Sequence, residues 1–148
     1  MEIIELQQGV AQILNENLYL VSGKCRAFAE EYVPDTDAAK TAIARIQGVA
    51  LYVLVPDGSN RGPAEPGTLL FTLNPLTVRI IEVPSVTREA PERLSAARAL
   101  RGVIFALHSK TCRFIGWRKV PTNEIGVVCI DANFETGFTM SAPSGASP

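Results

Sequence analysis

Apolar residues Ile3, Leu6, Val10, Ile13 and Leu14 recur at helical spacing, forming one stripe that Asn15 and Asn17 are placed to end. Residues 18–33 are ambiguous: L-Y-L-V suits a strand, whereas C-R-A-F-A-E-E-Y suits a helix. A second helix is predicted over 37–47. Asp35, Thr36 and Asp37 offer N-cap oxygens after Pro34, and Gly48 stands at its end. The period then changes. Residues 49–55, V-A-L-Y-V-L-V, form an unbroken apolar run of the kind expected for a strand buried on both faces.

The next stretch, 56–67, is rich in Gly and Pro and reads as a long loop, either an interaction arm or simply a mobile surface segment. Strands are predicted over 68–73 and 77–83, with Asn74-Pro75 turning between them. In the second, apolar positions change parity between Ile80 and Ile81, which calls for a bulge or for burial on both sides. A helix is predicted over 90–108, started by Pro91. Leu94, Ala97, Leu100, Ile104 and Leu107 mark its buried face, with Arg98 and Arg101 away from it. Strands over 113–120, 124–130 and 133–140 complete the pattern. In the last, Phe134, Phe138 and Met140 point inward while Asn133, Glu135 and Thr139 point outward. Residues 141–148 lack an apolar anchor and are expected to be a disordered tail on a single domain, 1–140. The expected class is α+β: two layers, a mostly antiparallel sheet with helices packed on one face.

Composition keeps this picture in the ordinary globular class, with 47% hydrophobic and 20% charged residues in a chain of 148. Such a chain buries roughly 70% of its unfolded surface. No apolar run is long enough for a transmembrane helix, and the N-terminus has early acids in place of a positive leader region, so a cytosolic origin is expected. Three widely spaced cysteines, Cys25, Cys112 and Cys129, suit neither a disulfide framework nor a zinc site, and Cys129 reads as a small core residue.

Net charge is −1, but it is unevenly spread. Residues 1–60 hold eight acids against four bases, and residues 88–119 hold eight bases against two acids. Such polarity suits head-to-tail pairing of copies, although solvated faces give the same pattern. Catalytic chemistry finds little support. His108 is the sole histidine and falls in the last turn of its helix, where it suits the free carbonyls and the negative helix end. Glu82 and Glu89 have no acid/base spacing, Ser85 and Ser95 lack a nucleophile-elbow context, and Gly58, Gly62 and Gly67 lack the lysine of a phosphate loop. Trp117 among Arg113, Phe114, Arg118 and Lys119 resembles an aromatic-basic strip. Strand alternation nevertheless divides it, with Arg113, Ile115 and Trp117 on one face, so packing in the core or at a subunit interface is the better account.

One local pattern carries a resemblance. Glu82, Pro84, Val86 and Arg88, followed by a helix closing on Ala106-Leu107-His108, is similar to tail terminator and tail-completion proteins of long-tailed phages, over roughly residues 49–140. Val83 and Thr87 depart from it, standing where the family often has asparagine. The resemblance implies a structural virion protein that caps the tail tube as a ring, with six copies expected, and joins tail to head. It implies no enzymatic activity and no cofactor. The implied partners are copies of itself, tail tube and head-tail connector proteins, and DNA phosphates in the lumen. The implied location is the virion's tail or neck after synthesis in a host cytoplasm. Arg88, Arg93, Arg98, Arg101, Arg113 and Arg118, with Asn60 and Arg61 of the arm, are the candidate interface or lumen residues. A small cytosolic α+β adaptor domain, or a small enzyme, is the alternative.

Overall fold

The computed structural model describes residues 1–32, 34–87, 92–122 and 124–143. Along the chain these form α1 (Ile3–Glu16), α2 (Leu18–Ser22), β1 (Cys25–Ala29), α3 (Thr36–Ile46), β2 (Val49–Val53), β3 (Gly58–Pro63), β4 (Thr68–Glu82), α4 (Pro84–Thr87), α5 (Ala96–Leu107), β5 (Cys112–Lys119) and β6 (Val128–Ser141). The sheet order is β1-β2-β4-β6-β5, with β3 paired to β4 off this path. Only β1 and β2 run parallel; the remaining pairs are antiparallel. The fold is therefore α+β with a mostly antiparallel mixed sheet.

Its spine is the pair β4–β6, in register from Thr68↔Ser141 to Glu82↔Val128. Two breaks expected from the sequence are absent. Asn74-Pro75, a cis peptide, is a bulge inside one continuous β4 and not a turn between two strands. Asp131 and Ala132 likewise lie within β6, because Asp131 is paired across the ladder: both its carboxylate oxygens accept from Arg79, at 2.8 and 2.9 Å. Residues 124–127 lie before β6, and Ile125 is fully exposed beside the turn at Gly126. β6 runs through Ser141, and the Ala142 N–H donates to the Gly67 carbonyl, so order extends past the expected boundary at 140. Residues 144–148 lie outside the described residues.

The ambiguous segment resolves opposite to its local propensities. L-Y-L-V is helical, because Asn17 caps the Leu20 N–H, while C-R-A-F-A becomes β1 by pairing with β2. α3 starts at the expected place, with Asp35 accepting from the Ala38 N–H at 2.7 Å. Gly48 does not supply the left-handed cap; Gln47 does, at φ 53. Gly48 is needed for close packing, since a Cβ there would lie 1.6 Å from the Lys24 carbonyl oxygen.

The fully buried β2 separates two apolar clusters. Val49, Leu51 and Val53 join the larger one, beneath α1, α2 and α5. Ala50 and Tyr52 join a smaller one with Ala39 and Ile43 of α3, Ile81 and Cys129. The expected helical layer on one face is thus present, and α3 adds a partial cover on the other. This also explains the parity change in β4: Ile80 and Ile81 keep register but enter opposite clusters, with no bulge between them. On α1 the inward face includes Gln7 and excludes Ile13. Gln7 is fully buried because its Nε2 donates to the carbonyls of Glu30 and Val53, at 2.8 and 2.9 Å.

Candidate subunit interface

α5 carries Arg98 and Arg101, and its position is set by Glu82. This carboxylate is buried at the end of β4, where Oε1 accepts from the Ala96 N–H at 3.0 Å and Oε2 is paired with Arg93. The helix N-terminus supplies orphan donors and positive potential, so a buried carboxylate is stabilised there. Ser95 completes the cap by accepting from the Arg98 N–H. The helix described begins at Ala96; Pro91, expected to start it, lies outside the described residues, as does Arg88. Arg93 is half-buried and paired with Glu82. The buried face of α5 is Ala96, Ala99, Leu100, Gly102, Val103 and Leu107, whereas Ala97 is exposed.

Arg98 and Arg101 project from α5 into solvent. Beside them is an apolar surface that the sequence did not single out. Gly102 lets α2 approach so closely that a Cβ would lie 2.6 Å from Leu20 and 2.7 Å from Tyr19. The result is a shallow groove of ≈350 Å³ lined by Asn17, Tyr19, Arg101, Gly102 and Phe105. Phe105 is 78% exposed and Leu18 79%. Phe105 falls outside the apolar stripe of its own helix, which is the signal that could have marked it.

Trp117 was expected on the face opposite Phe114, but β5 has a register shift between Phe114 and Gly116. The extra residue at Ile115 reverses parity, so Trp117 and Phe114 stack with centroids 6.4 Å apart. Trp117 remains 62% exposed. It is a surface aromatic next to Arg118 and Lys119, both exposed, and core packing does not account for it.

The stretch expected to be a mobile arm is largely a strand. β3 pairs with β4 from Gly58↔Leu73 to Pro63↔Leu69, and Asn60 closes its own bulge by accepting from the Gly62 N–H at 2.7 Å. Gly at 62, with φ 111, is what permits that bulge. Arg61 reaches across to Thr72, 3.1 Å away, and with Lys110 and Arg113 it lines a depression of ≈420 Å³ that also includes Glu135. Arg113 donates to Glu135 at 3.2 Å. The structure therefore brings Arg61 and Arg113 together on one face, leaves Arg118 on β5, and sets Arg98 and Arg101 beside α2. Asn60, next to Arg61 in β3, is exposed and stands opposite Phe71 of β4.

Acidic residues occupy the other side. α1 lies over β1 and β2, bringing exposed Glu2, Glu5 and Glu16 to the β1 flank, and Glu31, Asp35 and Asp37 follow β1 directly. β5, with Arg113, Arg118 and Lys119, forms the opposite edge of the sheet, while α5 lies over the central strands β4 and β6 with Arg98 and Arg101 beside α2; Lys24 and Arg26 are exposed bases at the β1 edge itself.

Of the polar groups considered for catalysis, Glu82 and His108 hold hydrogen bonds within the fold, and Glu89 lies outside the described residues. Glu82 caps α5, and His108 Nδ1 accepts from the Phe114 N–H at 3.1 Å, tying the end of α5 to β5 instead of bonding helix carbonyls. Burial pushes the Cys25 thiol up to about 12 and raises those of Cys112 and Cys129, which disfavours thiolate. Among the described residues no cluster of three His, Cys, Asp or Glu side chains could hold a metal, and no helix is long and apolar enough to cross a membrane.

No protein-family model and no curated protein matches the chain. Among solved structures, a chain described as "Virion of native gene transfer agent (GTA) particle" matches with a TM-score of 0.52 at 16% identity, over 88% of this chain and 91% of that one. The two chains share a fold across nearly their whole lengths.

Proposed function

We propose that this protein is a structural virion subunit that assembles head to tail into a ring of six, capping a tail tube and joining tail to head. The observation that carries the reading is the lateral polarity of the sheet. Acidic residues of α1 and of the segment after β1 stand toward one edge, and Arg113, Trp117, Arg118 and Lys119 of β5 form the other, so a rotation that repeats brings unlike surfaces together. Tyr19 and Phe105 beside Arg98 and Arg101, and separately Trp117 beside Arg118, have the aromatic-and-arginine composition of binding hot spots. The fold shared with a chain of a gene transfer agent virion supports the same reading, as does the order of elements after Glu82. Arg61, Lys110 and Arg113 form a basic depression suited to phosphate contacts without sequence preference, as DNA passing a lumen would require.

Native mass measurement over a range of protein concentrations tests this. The ring predicts a species near six times 16.0 kDa. Low-resolution images of labelled protein on purified particles should then show density at the head-proximal end of the tail. A monomer at all concentrations together with no labelling of particles would favour a cytosolic adaptor domain.

A further inference from the structure

The two faces of the sheet carry different chemistry. In β6, Val128, Ile130, Ala132 and Phe134 point to the large apolar cluster beneath α1, α2 and α5. The alternate residues point the other way, where α3 packs on β2 beside the smaller cluster. Across the rest of that second face the cross-strand neighbours are polar. One row holds Arg79, Asp131 and Arg118; the next holds Thr77, Asn133 and Gly116. The third pairs Arg113 with Glu135, in the depression that Arg61 and Lys110 also line. These rows set five cations, Arg61, Arg79, Lys110, Arg113 and Arg118, against two carboxylates. Both carboxylates are engaged, Asp131 by Arg79, and Glu135 by Arg113 and by the Asn74 side-chain amide. Arg61, Lys110 and Arg118 form no ion pair among the described residues. The aromatics of β5 belong to the opposite face, where Phe114 packs on the large cluster and Trp117 stacks on Phe114.

We infer that this polar face of the sheet meets the sugar-phosphate backbone of duplex DNA, so that each copy in the ring turns it toward the axis and turns α1, α2 and α5 outward. The inference rests on the ring reading above and deepens it. It assigns DNA to one face, and it takes Arg98 and Arg101, on the helical side, out of that contact. Charge complementarity selects the occupant, since cations without acidic partners suit phosphates. Spacing agrees with it. Asp131 and Glu135 are four residues apart on β6, so the two charged rows lie about 13 Å apart. A major groove is roughly 12 Å wide, so the rows can reach the backbones on both of its sides. With no ring on this face to stack a base, contact stops at phosphates and carries no preference for sequence or for single strands. The net charge of −1 is no obstacle. Glu2, Glu5 and Glu16 stand on α1, across the thickness of the sheet, beyond the ~8 Å Debye length at physiological salt. The surplus on one copy is small, and a ring multiplies it by presenting several copies to one duplex.

Gly116 supplies the test, because a Cβ there meets nothing within 4 Å and a side chain can be added at the centre of the face without repacking. Gly116→Glu sets a carboxylate between the charged rows, and Gly116→Gln is its uncharged match. Gly9→Glu adds the same charge on α1, on the helical side, where a Cβ also has open space. Each whole-chain variant is checked for ring mass. It is then titrated across a salt series against short fluorescent duplexes of two unrelated sequences and against the matching single strand. Gly116→Glu should bind duplex about tenfold more weakly than Gly116→Gln, whereas Gly9→Glu should bind like the unmodified chain. Arg61→Gln with Lys110→Gln should lower the slope of log affinity against log salt by about two, one for each lost phosphate contact. Rings that bind no duplex, or that bind it equally with Gly116→Glu and Gly9→Glu, would overturn the inference and leave the ring standing. Tighter binding of the single strand would overturn it as well. A chain that stays monomeric yet shows these losses would keep the DNA face and end the ring reading.

Discussion

Glu82 shows how much one side chain decides at the residue scale. Its two oxygens serve the first N–H of α5 and the Arg93 guanidinium, so one carboxylate fixes both the start of the helix and the chain leading into it. Glu82→Ala should cost about 2–4 kcal/mol, because the buried Ala96 N–H and the half-buried Arg93 lose the same carboxylate together. Glu82→Gln, which keeps an acceptor for Ala96, should cost less, as read from urea midpoints at constant slope. The cysteines make a second prediction with a definite sign. Burial holds the Cys25 thiol near 12 against an ordinary 9.0, so between these values the unfolded chain loses a proton that the native chain keeps. Stability should therefore be unaffected below pH 9.0 and fall as pH rises toward 12, by up to ~1.4 kcal/mol per pH unit from this group. Cys25→Ala should flatten that alkaline decline in a pH series of urea titrations; an unchanged slope would show that the thiol does not titrate with unfolding.

Between elements, glycines set how near two segments come. Gly48→Ala places a Cβ 1.6 Å from a backbone oxygen that itself accepts from the Val49 N–H. Gly102→Ala meets only the side chains of Leu20 and Tyr19, which can move. Gly102→Ala is expected to cost about 1–3 kcal/mol by overpacking and to loosen α2 against α5. Gly48→Ala should cost clearly more, since β1 and β2 would have to separate. Melting temperatures in one buffer decide the order, and the reverse order would remove close approach as the reason for Gly48. The same scale shows where sequence reasoning stopped. Propensity left residues 18–33 ambiguous, because cross-strand pairing with Val49–Val53 and the Asn17 cap, which decide them, are tertiary and side-chain effects that outweigh local preference. The arm was read as a loop from its glycines and prolines, although Gly62 makes a bulge and Pro63 ends the strand, both compatible with an outer strand.

For the whole molecule, the testable quantity is the separation of charge across the sheet. Neutralising Arg98 and Arg101 together with glutamine should weaken ring assembly most at low salt, where the Debye length is longest. Both side chains are exposed on α5, so the monomer's unfolding free energy should change by no more than about 0.5 kcal/mol. Sedimentation across a salt series checks this, and mutants that assemble normally at every salt concentration would reduce these bases to an ordinary solvated surface.

The sequence by itself determined the α+β class, the places of α1, α3 and β2, the end of α5 at His108, the burial of Cys129 and the outward setting of Arg98 and Arg101. These follow from period and composition, which act within a few residues of chain. It also separated acidic from basic segments, because charge is counted directly. Only the tertiary structure decided which of those charges lie toward opposite edges, since strand order is a matter of pairing between residues far apart in sequence. It likewise decided that Arg93 pairs with Glu82, that a bulge at Ile115 returns Trp117 to the side of Phe114, and that β6 outruns β5. Each depends on register, and a one-residue shift in register changes the face of every side chain beyond it.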